Sequence, residues 1–193
     1  MPEAPPSNDA VVSSEDELLV LVDEEGTVLG PLSKGECHDG DGVLHLAFSI
    51  FVFNGRGELL LQQRSAAKRL WGGYWSNSCC SHPRWGERMD EAIHRRLEQE
   101  LGLDTGLHEL FTFTYHARFG EAGSERERCT VFVGRHDGPV TPNIIEVRAW
   151  RWVAPADLDA EMAAHPERFT PWFQEEWPRV KAVYRRILGL EGT

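Results

Sequence analysis

From Trp75 to Pro83 the chain reads WSNSCCSHP, which puts two adjacent thiols, several hydroxyls, an amide and an imidazole within nine residues. Gly72 and Gly73 precede the run with backbone freedom, and Pro83 closes it. Such a stretch is too polar for an apolar core. A surface turn with a chance cysteine pair is the bland alternative, and partners elsewhere in the chain decide between the two. Cys80 offers an acid/base group or a nucleophile, and His82 a metal ligand. Candidate partners for His82 are His38, His45, Glu125 and Glu127. Glu125 and Glu127 are spaced by two on a predicted strand, so they share a face and repel unless water or a cation screens them. Three imidazoles with two carboxylates and no thiolate suit a borderline divalent ion such as Mn²⁺ or Zn²⁺.

Composition bounds the function. Of 193 residues, 41% are hydrophobic and 26% charged, as in an ordinary globular domain, and the net charge is -11. That acidity argues against a nucleic-acid partner, but a few local Arg and Lys side chains can still hold a phosphate. No apolar run approaches the roughly 18 residues of a membrane span. The N-terminus lacks the basic and apolar regions of a secretion signal, and the four cysteines fit a reducing compartment. The expectation is a cytoplasmic protein with no membrane partner.

The elements that must position these groups follow from periodicity. Residues 1–16, rich in Pro, Ser and acids, read as a disordered tail, and 17–193 as one domain. A short strand over Leu18–Val22 precedes a polar connection, Lys34–Gly42, that contains His38. Residues 43–53 form the clearest strand. Leu44, Leu46, Phe48, Ile50 and Val52 make its core face, while His45, Ala47 and Ser49 face a roomier side. The turn Asn54-Gly55-Arg56-Gly57 predicts a hairpin partner over Glu58–Gln63. Arg64, Lys68 and Arg69 form a basic cluster that on its residues alone reads better as a solvated loop. A helix spans about 86–102, on which Arg96 and Glu100 share one face, as a surface ion pair or around a ligand. Strands follow at 107–117, 125–134 and 147–153. Helices are predicted from Pro155 to about Ala164 and from Thr170-Pro171-Trp172 to about Leu190, the second kinked at Pro178. Mixed strands with few helices imply an α+β sandwich.

These residues resemble the type I isopentenyl-diphosphate isomerases. The resemblance rests on HLAFSIFVFNGRGELLLQQR, WSNSCCSHP, RRLEQELG, the YHA of residues 115–117, the ERERC of residues 125–129 and TPW, and it covers about residues 18–188. It implies a Nudix-like mixed β-sheet sandwiched between helices. It also implies a metal site at His38, His45, His82, Glu125 and Glu127, holding Mn²⁺ or Zn²⁺. Cys80 and Glu127 would be catalytic, with Tyr115 hydrogen-bonded to Glu127. Lys34, Arg64, Lys68 and Arg96 match diphosphate-binding cations, and Trp172 matches an aromatic residue facing the substrate's hydrocarbon part. Glu100, helped by the Cys80 backbone carbonyl, matches the holder of a Mg²⁺ carried on the diphosphate.

The implied reaction interconverts isopentenyl and dimethylallyl diphosphate through a tertiary carbocation. In this reading Glu127 with Tyr115 donates the proton and Cys80 accepts one, roles that swap with direction. Against the RExxEExG pattern of Nudix hydrolases, RRLEQELG carries Arg96 and Gln99 where glutamates are expected. A pyrophosphohydrolase and a zinc-stabilised binding domain are the competing readings. The partner is a small diphosphate, and the assembly a monomer or weak homodimer.

Overall fold

The computed structural model describes residues 9–190. It contains one nine-stranded mixed sheet with helices on both faces. The strands are β1 (Leu18–Val22), β2 (Val28–Ser33), β3 (His45–Phe53), β4 (Leu59–Arg64), β5 (Trp75–Ser76), β6 (Cys79–Ser81), β7 (Leu107–Arg118), β8 (Ser124–Arg135) and β9 (Val147–Val153). The helices are α1 (Lys34–His38), α2 (Met89–Leu101), α3 (Pro155–Ala164), α4 (Pro171–Lys181) and α5 (Tyr184–Ile187). No helix among the described residues is long and apolar enough to cross a membrane.

Strand β3 is the axis. One edge pairs in parallel with β8 along its whole length, from His45↔Glu127 to Phe53↔Arg135. The other edge is shared by β1 at His45, β6 at Phe48–Ile50 and β4 at Phe53. Alternation sends Phe48, Ile50 and Val52 into one core, where Ala92, Ile93, Leu97 and Leu101 of α2 cover them. Phe51 and Phe53 enter the opposite core beneath Trp172, Phe173, Trp177 and Val180 of α4. Each such side chain contributes about 1.5–3 kcal/mol on burial, so two apolar faces on one strand require helices on both sides.

The structure departs from the sequence reading at four places. The hairpin predicted after β3 is reduced to a single pairing, Phe53↔Leu59, and β4 instead pairs along its length with β9. The polar connection after β2 folds into α1, whose N-cap Ser33 accepts from the Glu36 N–H. The final helix does not run unbroken: α4 carries Pro178 and ends at Lys181, and α5 resumes at Tyr184. Residues 10–15, assigned by composition to the tail, are hydrogen-bonded onto the domain; residues 1–8 lie outside the described residues.

Candidate active site and metal centre

The polar run Trp75–Pro83 is not a loop but carries two short strands. Asn77 Nδ2 donates to the Ile50 and Cys79 carbonyls, and Ser78 Oγ both donates to Leu60 O and accepts from Val52 N–H. These bonds satisfy polar groups that are fully buried, which lets a polar sequence sit inside the sheet. In this setting Cys79 points into the apolar core, while Cys80, opposite Ser49 across the β3–β6 pair, faces the other side. His82 lies two residues further, on the face of Cys80.

Register gathers the five candidate ligands. His45 sits beside Glu127 in the parallel β3–β8 pair, Glu125 lies one alternation away, α1 delivers His38, and the end of β6 delivers His82. Their ligand atoms lie within 4.8 Å of one another. His82 Nε2 is 2.8 Å from Glu127 Oε1, and His38 Nε2 is 2.9 Å from Glu125 Oε2. His45 Nδ1 donates to the Val43 carbonyl at 2.7 Å, which leaves its Nε2 turned to the cluster with no hydrogen-bond partner. His38 Nε2 and Glu125 Oε2 are also buried, and at 2.9 Å they face each other without the alignment of a hydrogen bond. Buried polar atoms left open and converging on one point are costly in themselves and fit a shared cation. Burial, with the neighbouring His45 and His38 rings, holds His82 well below the ordinary imidazole range, so it is neutral as a ligand must be. For His38 burial acts in the same direction, but Glu125 more than offsets it and raises its pKa. Gly123 (φ +136°) closes the β7–β8 turn against the His38 carbonyl, where a Cβ would collide.

The same pocket is lined by Cys80, Tyr115 and Trp172 and by Lys34, Arg64, Lys68 and Arg96. Tyr115 stands opposite Glu127 in the β7–β8 pair and donates to it. Burial pushes the Cys80 thiol up to about 12, although Arg64, whose Nη1 is 3.7 Å from the sulfur, pulls the other way. The Arg64 guanidinium also lies 5.3 Å from the Trp172 ring. Arg96 bridges two buried carboxylates, Glu100 and Glu146, and Lys68 pairs with Glu146 as well. Burial opposes the charge on Arg96, but these two glutamates raise its pKa. Burial and the neighbouring Lys68 lower the pKa of Lys34. Glu100 lies behind the pocket wall, held by Arg96 and by Gln62 Nε2 at 3.0 Å.

Three carboxylates escaped the sequence reading. Glu146 is framed by apolar neighbours and signals nothing by spacing. Glu15 lies in the stretch that composition assigned to the tail. Glu176 does carry a signal: it is four residues after Trp172 and so lies on the same inward face of α4. It is fully buried, its Oε1 is 3.6 Å from Cys129 Sγ, and burial pushes its pKa up to about 8.

The NUDIX domain family model matches residues 43–173, and the mixed sheet covered by helices is the fold that class has. Solved structures agree on the fold. A Deinococcus radiodurans protein superposes with a TM-score of 0.63 at 24% identity, covering 77% of this chain and 90% of that one. A MutT protein from Methanosarcina mazei gives 0.58 at 18% identity, covering 72% and 94%. Curated relatives are narrower in name. The isopentenyl-diphosphate Delta-isomerase of Halorhodospira halophila is 47% identical over 161 residues, 82% of this chain and 91% of that protein. That of Burkholderia multivorans is 45% identical over 158 residues, 82% and 89%. This chain belongs to the isopentenyl-diphosphate Delta-isomerase family.

Proposed function

We infer that the chain interconverts isopentenyl diphosphate and dimethylallyl diphosphate, with Cys80 and Glu127 moving the protons. The observation that carries this reading is one pocket lined by a protonated thiol, a carboxylate and a set of cations, beside a helix in which Arg96 and Gln99 replace two of the hydrolase glutamates. Lys34, Arg64, Lys68 and Arg96 are our candidates for holding the diphosphate. His38, His45, His82, Glu125 and Glu127 would hold Mn²⁺ or Zn²⁺, which supplies a fixed positive charge and keeps Glu127 ionised. Glu100 and the Cys80 carbonyl would hold a Mg²⁺ that neutralises part of the diphosphate's charge.

We take the order of the reaction from the resting protons. Glu127 as a metal ligand is an anion, and it accepts the Tyr115 hydrogen bond in that state. Cys80 starts as a thiol, because burial disfavours its thiolate. In the forward direction the thiol therefore gives its proton to C4, leaving a tertiary cation at C3, and Glu127 takes the proton from C2 as the C2=C3 bond forms. The reverse reaction swaps donor and acceptor. This order reverses the one drawn from sequence; its support is the raised pKa of the Cys80 thiol beside an ionised Glu127. Trp172, 3% exposed, presents an aromatic wall that excludes water and can stabilise the cation by roughly 2 kcal/mol.

Incubation with isopentenyl diphosphate, Mg²⁺ and Mn²⁺ in D₂O, followed by NMR, tests the reading. Proton transfer to C4 must place deuterium in the methyl group of dimethylallyl diphosphate, with little phosphate released. Unlabelled substrate with accumulating monophosphate would instead establish a pyrophosphohydrolase.

A further inference from the structure

One wall of the pocket is built by the segment that composition assigned to a tail. Residues 10–17 cross the ends of α2, α1 and the loop before β9. Ala10 O accepts from Asn143 Nδ2 at 2.8 Å, and Val12 O accepts from Arg96 Nη1 at 3.1 Å. Ser13 Oγ donates to Glu146 Oε1 at 3.0 Å. Glu15 O and Glu17 O accept from the Gly35 and Lys34 N–H groups at 2.9 and 2.8 Å. The strap therefore touches Lys34 and Arg96, and through Glu146 it reaches Lys68.

Backbone anchoring leaves the Glu15 side chain free to face the pocket. Its two oxygens lie 3.9 Å from Lys34 Nζ and 3.7 Å from Arg69 Nη1. Apart from Glu125 and Glu127 of the metal cluster, it is the one carboxylate that lines this pocket among the described residues. The other charged groups facing it are Lys34, Arg64, Lys68, Arg69 and Arg96. Long pairs to a carboxylate that is 52% exposed add little to stability. What Glu15 does is subtract one charge from the cations that face an incoming anion.

We propose that Glu15 is a specificity-determining residue that makes the site prefer the Mg²⁺ complex of a diphosphate to the bare anion. This rests on the reading of the pocket as the diphosphate site. A bare diphosphate is two charges more negative than its Mg²⁺ complex, and Coulomb repulsion scales with that charge. A fixed carboxylate at the pocket wall therefore penalises the bare form more than the complex, which is discrimination by a repulsive element. Glu100 and Glu146 are held at short range by Arg96 and Lys68, whereas the cations nearest Glu15 stand off at 3.7 and 3.9 Å.

The test is calorimetric titration of Mn²⁺-loaded, full-length protein with inorganic pyrophosphate, with and without Mg²⁺. Wild type, Glu15→Gln and Arg64→Ala are compared. Glu15→Gln should bind bare pyrophosphate about fivefold more tightly, the scale of one partly solvated charge interaction, and Mg²⁺-pyrophosphate less than twofold more tightly. Because the bare anion then competes better for the site, the variant's activity should need more Mg²⁺ to saturate. Equal gains for both forms, or none for either, overturn the proposal while the pocket reading stands, provided Arg64→Ala weakens both. If Arg64→Ala binds both forms like wild type, or the wild type binds neither, the pocket is not the diphosphate site and the inference falls with it.

Discussion

Tyr115 and Glu127 face each other across the β7–β8 pair, and the tyrosine hydroxyl donates to Glu127 Oε2 at 2.6 Å. The other carboxylate oxygen meets His82 Nε2, so Glu127 is gripped from both ends. The Tyr115 ring stacks on Phe113 and lies against Trp172, contacts that do not need the hydroxyl. Tyr115→Phe should therefore keep its fold and its metal content. Turnover should fall about ten- to a hundredfold, the worth of a hydrogen bond to a charged group. Metal analysis beside steady-state kinetics checks this; a variant with undiminished kcat would free Glu127 from any dependence on Tyr115.

The two cysteines separate cleanly. Cys80→Ala should abolish turnover and leave pyrophosphate binding intact, because in the proposed mechanism the thiol moves a proton and does not anchor the substrate. Cys79 is completely buried among Phe48, Ile50 and α2. Cys79→Ala should retain most activity and lose about 1 kcal/mol of stability from the small void. Kinetics and thermal melts on both variants decide it, and an inactive Cys79→Ala beside an active Cys80→Ala would mean that the assignment is off by one.

Loss of one ligand should cost the ion. His82→Ala removes the imidazole nearest Glu127, and metal content and activity should vanish together. Chelation should inactivate the wild type, with activity returning on addition of Mn²⁺ or Zn²⁺. The bound ion also stabilises the fold by mass action, so the wild-type Tm should rise with added metal and that of His82→Ala should not. A metal-free His82→Ala protein with full activity would remove the centre from the mechanism.

Glu176 predicts a pH dependence whose sign is opposite to that of a salt-bridged acid. Its folded pKa is raised to about 8, so the folded state keeps a proton that the unfolded chain releases above the ordinary carboxyl range. Stability from this group is intact at acid pH and declines as pH rises from about 4.5 towards 8, by an amount on the order of a few kcal/mol. Glu176→Gln should melt like wild type at pH 5 and above it at pH 8. Identical melting differences at the two pH values would show that the carboxyl is ionised throughout.

Much of this was legible before folding. The spacing of Glu125 and Glu127 gave a shared face, and alternation put His45, Ala47 and Ser49 opposite Phe48, Ile50 and Val52. The face expected to be roomier is, however, a second core, which Ala47, Phe51 and Phe53 share with α4. What escaped was non-local. The turn at Asn54–Gly57 announces a hairpin because turn signals are local, whereas β3's free edge is claimed by β1 and β6. The run Trp75–Pro83 looked unfit for a sheet because its buried hydrogen bonds, Asn77 to Ile50 and Ser78 to Leu60, are made to residues distant in sequence. The strap looked disordered for the same reason. It has little apolar surface and is held by backbone carbonyls that composition cannot weigh.

The parallel pairing of β3 with β8 would also set the moment in synthesis at which an ion held by this cluster is chosen. A growing chain that has emerged only as far as α2 already carries His38, His45 and His82 but neither carboxylate. Imidazoles alone would favour the late, tightly binding metals, whereas carboxylate oxygens broaden the choice toward Mn²⁺. The full donor set exists only after the β7–β8 hairpin is made and docks along β3, a long-range contact that closes late. An ion held by all five residues would thus be selected by the finished domain, whose geometry could refuse one that the nascent segment would accept.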